Sequence, residues 1–102
     1  MSFKNGMRPV HPGEVLREDY LKPLQMSVNA LAKRLGISTS RVNDVVLERR
    51  GVTPDTAMRL ARFFGGDARS WLNLQTAYDL RVTEIECATE IERAVEPLEG
   101  SA

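Results

Sequence analysis

LAKRLGISTSRVNDVVLERRG, residues Leu31 to Gly51, is the stretch that decides the fold. Val28 just upstream, with Leu31, Ala32 and Leu35, falls at i, i+3, i+4 and i+7, the single apolar stripe of a packed helix. Gly36 can take the left-handed conformation that ends a helix. Ile37 is apolar inside the turn and is placed to plug the core between two helices. Ser38 caps a second helix, whose buried stripe is Val42, Val45 and Val46. Three valines at helical spacing mean that packing, rather than β propensity, sets this segment. Gly51 is expected to stop it. Two short helices joined by a tight turn containing glycine form a helix-turn-helix.

The flanking sequence supplies the supporting helices. His11-Pro12-Gly13-Glu14 reads as a helix start. Pro12 suits the first helical position, and Glu14 can reach back to the free N–H groups there. This first helix is expected to carry Val15, Leu16 and Tyr20 inward to about Leu21, with Pro23 ending it. Ser27 caps the second helix. Thr53-Pro54-Asp55 starts the fourth, with Ala57, Leu60, Ala61 and Phe64 as its stripe and Gly65-Gly66 as its stop. Asp67 caps a fifth, with Trp71, Leu74 and Tyr78 on one face and core packing as their expected role. Thr83 and Glu86 could box the start of a sixth helix with Ile85, Ala88, Ile91, Val95 and Leu98, or the Glu-rich end could be a mobile tail. The expected fold is all-α: a five-helix bundle with a lambda-repressor-like helix-turn-helix over 11–81, an extended arm over 1–10, and an acidic helix or tail over 82–102. No strand signal competes outside the arm.

The 102 residues suffice for one small domain. No apolar run approaches a membrane span, and the opening residues lack the apolar stretch of a signal peptide. A single cysteine, Cys87, fits a reducing cytoplasm. Net charge is zero, but unevenly spread: residues 1–80 carry 12 Lys/Arg against 8 Asp/Glu, and residues 81–102 carry 2 against 6. A basic body is therefore followed by an acidic end.

A helix built only to pack needs one capping hydroxyl, not a polar row at its tip. In a helix-turn-helix the N-terminal end of the second helix enters the major groove of DNA. Thr39, Ser40 and Arg41 occupy that first turn, and Asn43 and Asp44 follow on the side opposite the valines. Together they present the mixed donors and acceptors that base edges require. Arg41 is expected to pair bidentately with guanine, with no duty in the core, and Asn43 with adenine. Asp44 could accept from cytosine or orient Arg41. Ser27, Asn29 and the free N–H groups at the second helix could hold a phosphate, and Arg49 and Arg50 could meet the next ones. Singly, each of these residues is better explained as a cap or a surface ion pair; the turn glycine, the spaced stripes and the polar tip together point to DNA.

The segments HPGEVL (11–16), LAKRLGISTSRVNDVV (31–46), TPDTAMRLARFFG (53–65) and WLNLQTAYDL (71–80) together resemble the HigA-type antitoxins of the Xre-like helix-turn-helix group. The resemblance spans about residues 8–81. It implies a dimer that represses its own operon and binds a small RelE-like ribonuclease toxin of the HigB type. It places Thr39, Ser40, Arg41, Asn43 and Asp44 on the recognition helix. Many relatives have Gln at the start of the second helix; Val28 stands there here, which leaves a phosphate to Ser27, Asn29 or backbone.

Enzymatic function is not expected. One histidine and one cysteine cannot make the usual metal sets, and no Gly-rich phosphate loop precedes a helix. His11 reads as a capping or packing histidine, and no cofactor is implied. The remaining alternatives are an Xre-like repressor with no toxin partner and a pure protein-interaction module. For a toxin, the arm and first helix, residues 2–20, are favoured over the acidic end.

Overall fold

The computed structural model describes residues 8–99, and within them the chain is all-helical, in five helices. Helix α1 covers residues 12–24, α2 is Val28–Leu35, α3 Thr39–Val46, α4 Pro54–Phe64 and α5 Ala68–Ala94. Residues 1–7 of the expected arm lie outside the described part.

Helix α1 outlasts its expected end at Leu21. Its middle, Leu16–Leu21, widens into a π-helical turn, and a last α turn follows over Lys22–Leu24. Pro23 explains the widening. It has no N–H to donate to the preceding turn, and its ring crowds the carbonyl there. The wider turn, with the Lys22 N–H donating to Arg17 five residues back, carries the chain past it. The stop comes at Gln25, which takes a positive φ of 53°.

Ser27, Ser38, Thr53 and Asp67 each accept a hydrogen bond from a backbone N–H three residues on, as capping requires. Gly36, at φ 72°, ends α2. Gly51 does not end α3. That helix stops at Val46 with Glu48 in the left-handed region at φ 65°. The Glu48 N–H then donates to Val45 and the Arg49 N–H to Asp44, the paired bonds of a Schellman motif. Gly51 is small for another reason: a Cβ there would press on the Gln75 side chain at 3.0 Å.

The expected sixth helix is not separate. Its residues up to Ala94 are the second half of α5. Thr83 does not cap a new helix; its hydroxyl donates to the Asp79 carbonyl at 2.8 Å, the back-bond of a mid-helix threonine. No glycine or proline interrupts 68–94, and the helix gives way at Val95, two residues before Pro97.

The core gathers Leu16, Leu21, Leu31, Ala32, Leu35, Val42, Val45, Val46, Val52, Ala57, Leu60 and Trp71, with Ile37 packed against it from the turn. Trp71 is 5% exposed and lies against the Tyr20 ring at 5.4 Å, so helix five faces inward as its stripe implies. Among the described residues, Trp71 is the one buried residue of α5, with Leu72 and Leu74 half-buried against the core. No described helix is long and apolar enough to cross a membrane.

Candidate nucleic-acid interface

The recognition helix is fixed from three sides. His11 caps α1: its Nδ1 accepts from the Gly13 N–H at 2.8 Å, and its ring meets Tyr78 edge-on at 4.8 Å. Glu14 does not reach back to the cap. Its carboxylate takes both ends of the Arg8 guanidinium, at 2.9 and 2.7 Å, and is held below the usual carboxylate range by that bond. Gly13 is where α1 meets the backbone of α3 at Val45.

Two arginines that sequence reasoning passed over finish the unit. Arg17 donates to the last carbonyl of α3, at Val46, at 2.5 Å, and pairs with Glu48 at 3.4 Å. Arg59 donates to the Leu35 carbonyl at the end of α2 at 2.8 Å. Helix C-terminal carbonyls lack intrahelical donors, and a cation there also meets the negative end of the helix dipole. Gln75 holds the loop after α3: its Oε1 accepts from the Val52 N–H at 2.7 Å. The signal for these was a polar residue on a face otherwise apolar, which alone does not name a partner.

With Val42, Val45 and Val46 buried, about 3.6 residues per turn puts Ser40, Asp44 and Leu47 on the opposite face of α3, with Asn43 half-buried at its flank. Among the described residues, no side-chain hydrogen bond involves Ser40 or Asn43. Leu47 was not anticipated. It is 50% exposed and sits on the same face. Asp44 pairs with Arg49 at 3.2 Å and Arg50 at 3.6 Å, so these three gather at the C-terminal end of the helix. Asp44 therefore does not orient Arg41. Thr39 and Asn29 also meet: the Thr39 hydroxyl donates to Asn29 Oδ1 at 2.8 Å, tying the exposed starts of α3 and α2 together. Ser27 spends its oxygen on the Ala30 N–H, and Ser38 on that of Arg41.

Arg41 departs from expectation. Its side chain is 27% exposed and turned toward α4, where Nη2 donates to Asp55 Oδ1 at 2.8 Å and to Thr56 Oγ1 at 2.7 Å. It thus has a structural duty: it ties the recognition helix to α4. Asp55 also takes Arg59 Nε at 2.7 Å. First Arg59 and then Arg41 hold its carboxyl below the usual range. Beside this cluster lies an open cleft lined by Arg34, Met58, Arg59, Arg62 and Phe63, with the Arg34 guanidinium over the Phe63 ring at 4.8 Å. Among the described residues, no group of histidine, cysteine and carboxylate side chains could hold a metal ion.

A capped two-helix unit with a bare polar face on its second helix defines a helix-turn-helix protein, and residues 18–71 match the helix-turn-helix family model. The chain belongs to the Xre-like helix-turn-helix proteins of the HigA antitoxin family. It is 63% identical over 81 residues to virulence-associated protein I of Dichelobacter nodosus, covering 79% of this chain and 75% of that one. The antitoxin HigA of Pseudomonas aeruginosa, solved with the higBA promoter, superposes with a TM-score of 0.86 at 44% identity, over 89% of this chain and 99% of that one. The antitoxin GraA in complex with its operator gives 0.86 at 48% identity, over 92% and 95%.

Proposed function

We propose that this chain is an antitoxin that represses its own operon as a homodimer and neutralises a RelE-like ribonuclease toxin of the HigB type. The observation that carries the DNA half is the bare face of α3. Ser40 and Asn43 keep their hydrogen-bonding groups unspent beside the exposed Leu47. A hydroxyl, an amide and an apolar tip match base edges and a thymine methyl. Thr39 and Asn29 brace each other at the phosphate side, where the Nδ2 donors of Asn29 and the exposed start of α2 face outward. Arg49 and Arg50 supply positive charge at the far end. Arg41 reads only by leaving Asp55. Relatives solved with promoter or operator DNA support this reading.

One such helix makes few base contacts, and operator affinity calls for two half-sites about one helical turn apart. The second half of α5 offers a seam for the second copy. Leu80 and Ile91 are exposed there and share a stripe with Ala77, Cys87 and Ala88, and Val95 and Leu98 are exposed just past the helix end. The toxin is assigned to the arm and α1, residues 2–20. Arg8, Pro9 and Val10 form one wall of a groove whose other wall is Leu74, Ala77, Tyr78 and Arg81 of α5, and an extended arm can pair with a partner by backbone hydrogen bonds.

The test is a titration of the full chain against the DNA upstream of its own reading frame over a range of salt. Affinity should fall with a log–log slope of about −0.9 per phosphate contacted. No preference for that DNA over a scrambled duplex at low salt would defeat the repressor reading. Pull-down and titration with the product of the adjacent reading frame tests the toxin half; a frame encoding no protein that binds would leave a repressor alone.

A further inference from the structure

We infer that Asp55 is a specificity-determining residue: it withholds Arg41 from DNA that lacks the right base and releases it to DNA that has it. The inference rests on the DNA-binding reading above. Arg41 is in the first turn of α3, next to Ser40, so it is within reach of the surface proposed to face DNA. Yet both hydrogens of its Nη2 are committed, one to Asp55 Oδ1 at 2.8 Å and one to Thr56 Oγ1 at 2.7 Å. A guanidinium has two edges that present parallel N–H pairs, and both include Nη2. While the latch is closed, neither edge is open for the bidentate contact that identifies guanine.

Opening the latch costs the Asp55 and Thr56 bonds wherever the protein sits on DNA. Only a base with two acceptors in line offsets that cost in full. A base edge with a single acceptor does not, so where guanine is absent from that position Arg41 stays on α4. Asp55 is well suited to hold it. Arg59 Nε shares the same Oδ1 at 2.7 Å, and the two cations keep the carboxylate ionised. Arg59 is itself anchored on the Leu35 carbonyl, so the acceptor does not drift with Arg41. Asp55 itself is exposed and lies in the first turn of α4, where a carboxylate suits the helix dipole.

The experiment compares the wild-type full chain with Asp55→Asn, Thr56→Val, Arg41→Ala and the Arg41→Ala/Asp55→Asn double variant. Each is titrated by fluorescence anisotropy against operator and against a scrambled duplex, with thermal melts to check folding. Asp55→Asn should tighten scrambled-duplex binding by about two- to fivefold, the range of one partly exposed ion pair, and tighten operator binding less. The operator-to-scrambled ratio should fall accordingly. Thr56→Val, which frees one Nη2 hydrogen and keeps every charge, should lower the ratio in the same direction by less; it decides the matter if Asp55→Asn fails to fold. In the Arg41→Ala background, Asp55→Asn should no longer change the ratio. An unchanged ratio in both single variants, or equal weakening of both duplexes, would show a structural strut and overturn the inference. A shift that persists without Arg41 would assign it to general phosphate attraction and overturn it as well. A wild-type chain with no operator preference would instead remove the DNA-binding reading itself.

Discussion

Gly13 has no side chain because the carbonyl oxygen of Val45 occupies the place where a Cβ would stand. The glycine of His11-Pro12-Gly13-Glu14 is thus the point where the backbone of α1 touches the recognition helix. Gly13→Ala should force α1 off α3 and cost on the order of 3 kcal/mol, at the upper end for an overpacked core. Urea unfolding reads this directly. A midpoint equal to wild type would mean that α1 does not seat on α3 as described.

His11 adds a pH dependence at the same junction. Burial holds its imidazole below the ordinary value of 6.5, against the opposing pull of Glu48 and Asp79 and with a smaller push from Arg17. The folded state therefore keeps His11 neutral, as its role as acceptor from Gly13 requires. Stability is full above the unfolded value and falls as the pH drops from there toward the depressed folded one, because the unfolded chain takes up the proton first. Urea midpoints between about pH 7.5 and pH 5.5 should decline in wild type. In His11→Asn, which keeps a capping acceptor but does not titrate in that range, the decline should vanish. Parallel curves for the two proteins would count against the assignment.

Trp71 closes the core from α5, under Tyr20. Trp71→Ala should cost about 3–5 kcal/mol, the range for emptying a buried aromatic site. An unshifted denaturation midpoint would place the indole at the surface.

These three residues also mark how much was legible. The helices, their caps and the inward face of α5 follow from spacing and capping chemistry, both local. His11 could be recognised as a cap because Pro12 follows it. Gly13 could not be explained, since its partner carbonyl is thirty-two residues away and belongs to another helix. Arg17, Arg59 and Gln75 were missed for the same reason: each satisfies backbone groups of a distant element. Arg41 was assigned to DNA because its neighbours are polar; the acceptor that holds it, Asp55, is fourteen residues on. Thr83 misled because a capping box and a mid-helix back-bond use the same hydroxyl, and only the course of the chain distinguishes them.

The seam proposed on α5 predicts a mass. Wild type should scatter light as a dimer at tens of micromolar, and Ile91→Glu should be monomeric, since a carboxylate at the seam would be buried unpaired. Ile91 is exposed in the single chain, so the variant should keep its fold by circular dichroism. A dimeric Ile91→Glu protein would move the interface elsewhere, and a monomeric wild type with or without operator would remove it.

The face of α3 is best tested away from Arg41, because Arg41→Ala also cuts the tie to α4. Asn43 is free of that complication: no side-chain hydrogen bond within the described chain involves it, and it lies half-buried at the flank of the outer face. Asn43→Ala should leave the unfolding midpoint within about 0.5 kcal/mol of wild type, as for other surface substitutions. It should nevertheless cost about 1–3 kcal/mol of discrimination at one operator position, more in a dimer that uses the residue twice. Toxin affinity should not change, because the toxin is assigned to residues 2–20 and not to the outer face of α3. Deleting residues 1–9 should do the reverse, weakening the toxin complex while operator binding holds. Titrations of both variants against operator, single-base operator variants and toxin separate the two surfaces. If Asn43→Ala discriminates as wild type does, the bare face of α3 is not the reading surface.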